Sequence, residues 1–179
     1  MSANEVIRAM IERRSIRKYK SDAVPEELLN RIIEAGLYAA NGMGRQETVI
    51  VAVTDRKLRG RLSEMNCAIG GWQKGFDPFY GAPAILIVLA RKDWANRVYD
   101  GSLVMGNLML AAYSLGLGSI WIHRAKEEFE SAEGQEILHS LGIEGEWEGI
   151  GHCAVGYSDV GNGIPKAAPR KEGRVFWAK

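Results

Sequence analysis

Residues 13 to 20 read Arg-Arg-Ser-Ile-Arg-Lys-Tyr-Lys, five cations and two hydroxyls in eight positions. Planar guanidiniums beside a hydroxyl donor match the oxygens of a phosphate, which arginine grips with two parallel hydrogen bonds. Two plainer readings fit the same residues. Cations at the end of a helix oppose the negative end of its dipole, and a run of basic residues can form a nucleic-acid patch. The patch reading is weakened by the interleaved Ser15, Ile16 and Tyr19 and by the overall balance of 23 Lys+Arg against 22 Asp+Glu. Composition alone ranks both plainer readings above the phosphate clamp. A second basic cluster, Lys166 with Arg170 and Lys171, stands near the other end of the chain, where folding could bring it against the first.

Other candidate chemistry is sparse. His123, His139 and His152 have no ligand-like spacing. His139 sits on an amphipathic stretch and reads as surface, and His123 ends a strand-like run beside Arg124, where loops often reach ligands. Gly116-Leu117-Gly118 follows a helical stretch and leads into a strand, the reverse of a dinucleotide-binding turn, so it reads as a helix stop. Cys67 and Cys153 are too isolated for a disulfide framework or a zinc knuckle and suit a reducing compartment. No metal site is expected.

The elements that must position these residues follow from periodicity. Ile7, Met10 and Ile11 have the i, i+3, i+4 spacing of one buried helical face over residues 4–13. Pro25 with Glu26 and Glu27 opens a second helix ending near Ala40. Thr48–Thr54 is a β-branched run too apolar for an exposed strand and is expected to be central. Asp55 caps a helix through about Met65. A loop from Gly70 to Ala82 carries Trp72, Phe79 and Tyr80, whose aromatic surface faces either substrate or the core. Ala84–Ala90 is a buried strand. The helix from Tyr99 to Leu115 is apolar round most of its circumference, which in a small domain points to an oligomer interface. A strand from Ser119 to His123, one helix from Lys126 to Leu141 and a strand from Gly151 to Tyr157 complete the core. A Gly- and Pro-containing tail ends in Arg174-Val175-Phe176-Trp177.

The 179 residues, 46% hydrophobic and 25% charged, amount to a single domain spanning residues 1–179. Folding at this size buries about 70% of the unfolded surface. A net charge of +1 argues against a dedicated nucleic-acid or membrane-surface protein. The N-terminal stretch lacks a long apolar run, and Ala84–Ala90 is too short to span a bilayer, so a cytoplasmic location is expected.

The order of these segments resembles the nitroreductase family of FMN-dependent oxidoreductases. Ile11–Tyr19 (IERRSIRKY) is similar to the family's opening signature and Val24–Ala40 to the helix after it. Asn41–Gln46 (NGMGRQ), with the strand TVIVAVTD, is similar to the next loop and strand. FYGAPAILIVLA, Asp100–Trp121, Gly149–Tyr157 and Pro169–Trp177 continue the match to the end of the chain. The resemblance implies an α+β fold with a mixed, mainly antiparallel sheet flanked by helices, in an intertwined homodimer.

It also implies residue roles. Arg13, Arg14 and Ser15 would hold the FMN phosphate and ribityl chain, and Arg17 the pyrimidine edge of the ring. Asn41, Gly42, Gly44 and Gln46 would reach FMN across the dimer interface. Ile122, His123 and Arg124 would lie alongside the flavin, and Arg170 with Lys171 would close on the phosphate. No side chain is implied as catalytic, since flavin N5 carries hydride from NADH or NADPH to a small electron-poor acceptor such as a nitroaromatic or quinone. The alternative is the same flavin-binding module with a specialised reaction, such as flavin fragmentation or dehalogenation, or with no turnover. The chain departs from the family pattern at Ala40, Gly44, Glu47-Thr48 and Gly106, which leaves the phosphate grip intact and the substrate open.

Overall fold

The computed structural model describes residues 4–179. Eleven segments follow in order: α1 (Glu5–Glu12), α2 (Glu26–Leu37), a 3-10 turn (Gly42–Gly44), β1 (Thr48–Val53), α3 (Arg56–Ile69), β2 (Ala84–Arg91), α4 (Arg97–Ser114), β3 (Gly118–Ile122), α5 (Ala125–Glu130), α6 (Ala132–Ser140) and β4 (Trp147–Gly156). Short polar side chains start three of the helices. Asn4 accepts from the Val6 and Ile7 amides, Asp55 from Leu58 and Ser131 from Gly134.

The four strands form one sheet in the order β1-β2-β4-β3 with every pairing antiparallel. The parallel component of the expected mixed sheet is reduced, among the described residues, to an isolated bridge between Ser15 and Ser119. Helices cover both faces. Ile85, Ile87 and Leu89 of β2 point into a core closed by Leu62 of α3, Phe129 of α5 and Leu138 of α6. The alternate residues Ala84, Leu86 and Val88 point into a second core with Ile32 of α2 and Met105 and Leu108 of α4. Burial on both faces explains why β2 is an unbroken apolar run.

Three expectations are corrected. The Thr48–Thr54 run is not central: β1 lies at the sheet edge. Its apolar character comes from helices on both faces, with Val49 and Val51 against one core and Ile50 against the other, and not from strands on both sides. The single helix over 126–141 is two helices broken at Ser131, whose hydroxyl donates to the Glu128 carbonyl and accepts from the Gly134 amide. A side chain at Gly134 would overlap that carbonyl, so the corner is packed tight by a glycine. The apolar face of α1 is not buried within one chain, since Ile7, Met10 and Ile11 are all exposed. The apolar surface of α4 is covered only in part. Val104, Met105, Leu108 and Ala112 face inward, while Tyr99 and Leu103 stay exposed.

One polar contact lies between the sheet and α5. His152 of β4 and Glu128 of α5 are both fully buried, with Nε2 and Oε2 2.7 Å apart. The pair is flanked by the rings of Phe79 and Phe129 and is not aligned as a hydrogen bond. Removing one partner strands the other in an apolar shell. His152→Leu is therefore expected to lower stability by about 3 kcal/mol, and the double variant Glu128→Leu with His152→Leu by less, in urea unfolding monitored by circular dichroism.

Candidate functional site

Helix α1 ends at Glu12, and the chain then runs extended along the sheet margin. The Ile16 amide donates to the Ser119 carbonyl (3.1 Å), the Lys20 amide to Tyr157 (2.9 Å), and Tyr19 bridges Ser158. Ile16 and Tyr19 are the buried anchors, and the Tyr19 hydroxyl donates to the Ala154 carbonyl at 3.3 Å. Burial raises that phenol far above its ordinary pKa, so it stays a neutral donor. Two glycines permit the close approach: a Cβ at Gly118 would sit 2.9 Å from Ile16, and one at Gly156 3.0 Å from Tyr19.

With those anchors inside, Arg13, Arg14, Ser15 and Arg17 line a cleft of about 790 Å³. Its opposite wall is the C-terminal tail, through Pro165, Ala167, Ala168 and Arg170. The tail is fastened there by the Lys18–Asp159 ion pair (2.8 Å) and by the Asp159 amide donating to the Lys18 carbonyl. The two basic clusters therefore meet, through Arg170; Lys166 and Lys171 do not line the cleft. The helix-end reading also holds in part, because Arg14 Nη1 donates to the Ile11 and Arg13 carbonyls at the end of α1 (2.6 and 2.8 Å). Yet Arg13 Nη1 and Arg14 Nε are buried with no partner among the described residues. Arg13 lies near enough to β4 to oppose, in part, the burial that pushes the Cys153 thiol up to about 12. Unpaired buried cationic donors are costly, and an anion in the cleft would relieve them.

The loop from Asn41 to Gln46 is at the other end of α4. Asp100, in the first turn of that helix, accepts from the Gly42 amide (3.0 Å) and from Trp94 Nε1 (2.7 Å). Tyr113, near the last turn, donates to Glu12 beside the basic cleft (3.0 Å). Thirteen residues of helix separate these two points, roughly 20 Å. Within one chain the loop does not join the cleft. Asn41 is spent internally, its Oδ1 accepting from the Gln46 amide, while Gln46 is exposed. Met43 and Gln46 hold positive φ values of 57° and 54°, a strained backbone presented outward.

The segment after β3 divides by side chain. Ile122 is a core residue and offers only its backbone. His123 is exposed and stacks on Trp121. Arg124 has φ 78°, with Nε donating to Asn66 Oδ1 (3.0 Å) and its guanidinium 4.4 Å over the Trp72 ring. Asn66, fully buried on α3, also donates to the His123 carbonyl. Sequence reasoning missed Asn66 and Asp100. The signal for each was a polar residue on the buried face of a helix.

The Gly70–Ala82 loop divides likewise. Phe79 is core, whereas Trp72 and Phe76 line a cleft of about 570 Å³ against Ser63 and Cys67 of α3. Asp77 organises the loop, accepting from Arg59 (2.5 Å), Ser63 (2.7 Å) and the Phe79 and Gly81 amides. Among the described residues no three His, Cys, Asp or Glu side chains gather as metal ligands, and no helix is long and apolar enough to cross a membrane.

The sequence model of the Nitroreductase family matches residues 10–157. A protein of Methanothermobacter thermautotrophicus is 31% identical over 68% of this chain and 62% of its own length. The Bacillus subtilis protein named FMN reductase (NAD(P)H) is 28% identical over 65% of this chain and 53% of its own, so this chain spans less than two thirds of either relative. The crystal structure of a Bacteroides fragilis nitroreductase with bound FMN superposes with a TM-score of 0.88 at 28% identity, covering 99% of this chain and 100% of that one. The chain belongs to the nitroreductase family.

Burial alone would raise the Asp77 carboxyl, but the hydrogen bonds from Arg59, Ser63 and Gly81 outweigh it and hold its pKa below the ordinary value. A lowered pKa adds stability that is complete above the ordinary carboxylate range and is lost as pH falls through the lowered value. Asp77→Asn is expected to cost about 1–3 kcal/mol at neutral pH in urea unfolding. That gap should narrow as the pH drops below about 4.

Proposed function

We propose that this protein is an FMN-dependent NAD(P)H oxidoreductase that works as a homodimer. The observation that carries the reading is the pair of buried, unpartnered guanidinium atoms on Arg13 and Arg14, in a cleft shared with Ser15, Arg17 and Arg170. These donors fit a phosphate monoester, and a concave cleft suits a small anion better than an extended nucleic acid. FMN is the phosphate-bearing group favoured, because the B. fragilis protein whose backbone this chain follows is described with FMN bound.

In this reading Arg13, Arg14, Ser15 and Arg170 hold the phosphate and ribityl end. Arg17 is exposed and has no carboxylate partner among the described residues, so its charge is free to stabilise an electron-rich ring edge. From Ser119, which anchors the basic segment, four residues of strand lead to His123, roughly 13 Å. That span suits an extended flavin running from phosphate to ring, with Ile122, His123 and Arg124 at the ring end. Bound flavin supplies reversible hydride chemistry, accepting from NADH or NADPH and passing electrons to an acceptor such as a nitroaromatic or quinone.

The Asn41, Gly42, Gly44 and Gln46 loop contributes from a second copy, since its own chain holds it at the far end of α4. Asp100 and Trp94 fix the loop's posture for that role. Exposed apolar side chains supply the dimer surface: Val6, Ile7, Met10 and Ile11 on α1, Tyr99 and Leu103 on α4, and Phe176 and Trp177 on the tail.

The purified protein is expected to be yellow and to release about one FMN per chain on denaturation. Among the described residues the Arg170 side chain hydrogen-bonds only to the Ala168 carbonyl, so Arg170→Ala tests the grip without disturbing α1. It should weaken FMN binding about 10-fold, the scale of one charge-assisted contact, in fluorescence titration of apoprotein. Adding Arg14→Ala should give a folded, colourless protein by circular dichroism and absorbance. Unchanged flavin content in the double variant would refute the phosphate grip.

A further inference from the structure

Arg124 is held more firmly than a turn residue needs to be. Its backbone sits at φ 78°, a region unfavourable for a residue with a side chain. Asn66, a side chain with no exposure, spends its carboxamide on the turn: Oδ1 accepts from Arg124 Nε, and Nδ2 donates to the His123 carbonyl. Trp72 supports the guanidinium from below at 4.4 Å. Glycine at Gly70 lets that indole lie close, because a side chain there would overlap the ring. Among the described residues no carboxylate pairs with Arg124, and its two terminal nitrogens have no acceptor. A planar cation is thus fixed at one nitrogen and one face, with its outer fork open.

That arrangement is preorganised for a planar oxyanion, because a guanidinium fork matches a carboxylate with two parallel hydrogen bonds and the ordering cost is already met. Trp72 adds an aromatic surface beside the cation, and Lys74 two residues on is a second cation without a partner among the described residues. Of the two acids on the neighbouring cleft wall, Asp77 is consumed by Arg59 and Ser63, which leaves Glu64 as the opposing charge.

We infer that Arg124, braced by Asn66 and Trp72, is a specificity-determining residue that selects aromatic acceptors bearing a carboxylate. The inference rests on the proposed flavin site, beside which this turn lies. The probes are 4-nitrobenzoate and its neutral counterpart 4-nitrobenzyl alcohol, with the flavin-loaded protein and the variants Arg124→Gly and Arg124→Lys. Glycine accepts the positive φ without strain, so folding is preserved. Binding is read by calorimetry without reductant, and kcat/KM per bound flavin is read with NADH and with NADPH.

In Arg124→Gly the preference for the carboxylate over the alcohol should fall about 10- to 100-fold in both readouts, with Arg124→Lys intermediate, as for loss of a charged hydrogen-bonding partner. An equal change for both probes, or none for either, would overturn the assignment. So would a fall confined to the preference for NADPH over NADH, which would give the cation to the donor's phosphate. Absence of bound flavin in the parent protein would instead refute the site itself, and this inference with it.

Discussion

The site depends on one docking event, the seating of residues 13–20 on the open end of the β3–β4 pair. Ile16 and Tyr19 bury, and backbone bonds to Ser119 and Tyr157 fix the register. In an extended segment neighbouring side chains point apart, so burying Ile16 turns Ser15 and Arg17 away from it. Glycines at 118 and 156 ease the contact, because a methyl group at 118 would come within 2.9 Å of Ile16 and one at 156 within 2.6 Å of Pro83 and 3.0 Å of Tyr19. The same margin receives the tail through Lys18 and Asp159, which closes the cleft with Arg170. One local geometry thus assembles cations from both ends of the chain.

The sheet serves as a ruler for everything else. β2 and β4 are central and covered by helices on both faces, so they are rigid, while chemistry-bearing residues collect on margins and turns. α4 separates the basic cleft from the Asn41–Gln46 loop. Near one end Tyr113 meets Glu12 by the basic cleft, and near the other Asp100 holds the strained Asn41–Gln46 loop. A loop kept at that distance from its own cleft, yet presented outward, is what the proposed sharing of sites between two copies requires.

Buried polar residues mark where the fold is shaped for more than packing. The buried Asn66 and Asp100 and the half-buried Asp77 each bind backbone amides, carbonyls or side chains of a loop, and each loop borders a proposed ligand surface. The Glu128–His152 pair differs, since it lies between the rings of Phe79 and Phe129 and its side chains hydrogen-bond to no loop among the described residues. Polar atoms satisfied by a loop select one loop conformation, because any other leaves them unpaired in a low-dielectric interior.

Much of this was legible in the residue order. Periodicity identified most of the helices and all four strands, because apolar spacing records which side of an element faces the core. The Arg13–Lys20 run and the Arg170 cluster were visible as cations. Other features were not legible. The edge position of β1 escaped because an apolar run records cover on its faces and says nothing of which strands lie beside it. The break at Ser131 depends on a single hydroxyl and one glycine contact, too local for a periodic pattern to register. The convergence of Arg170 with Arg13, the orphaned guanidinium atoms and the bracing of Arg124 by Asn66 and Trp72 joined residues far apart in the chain. Sequence alone determined the elements and the kinds of chemistry at hand, since those follow from neighbouring side chains. Only the tertiary structure decided which of them share a site, because that depends on long-range packing.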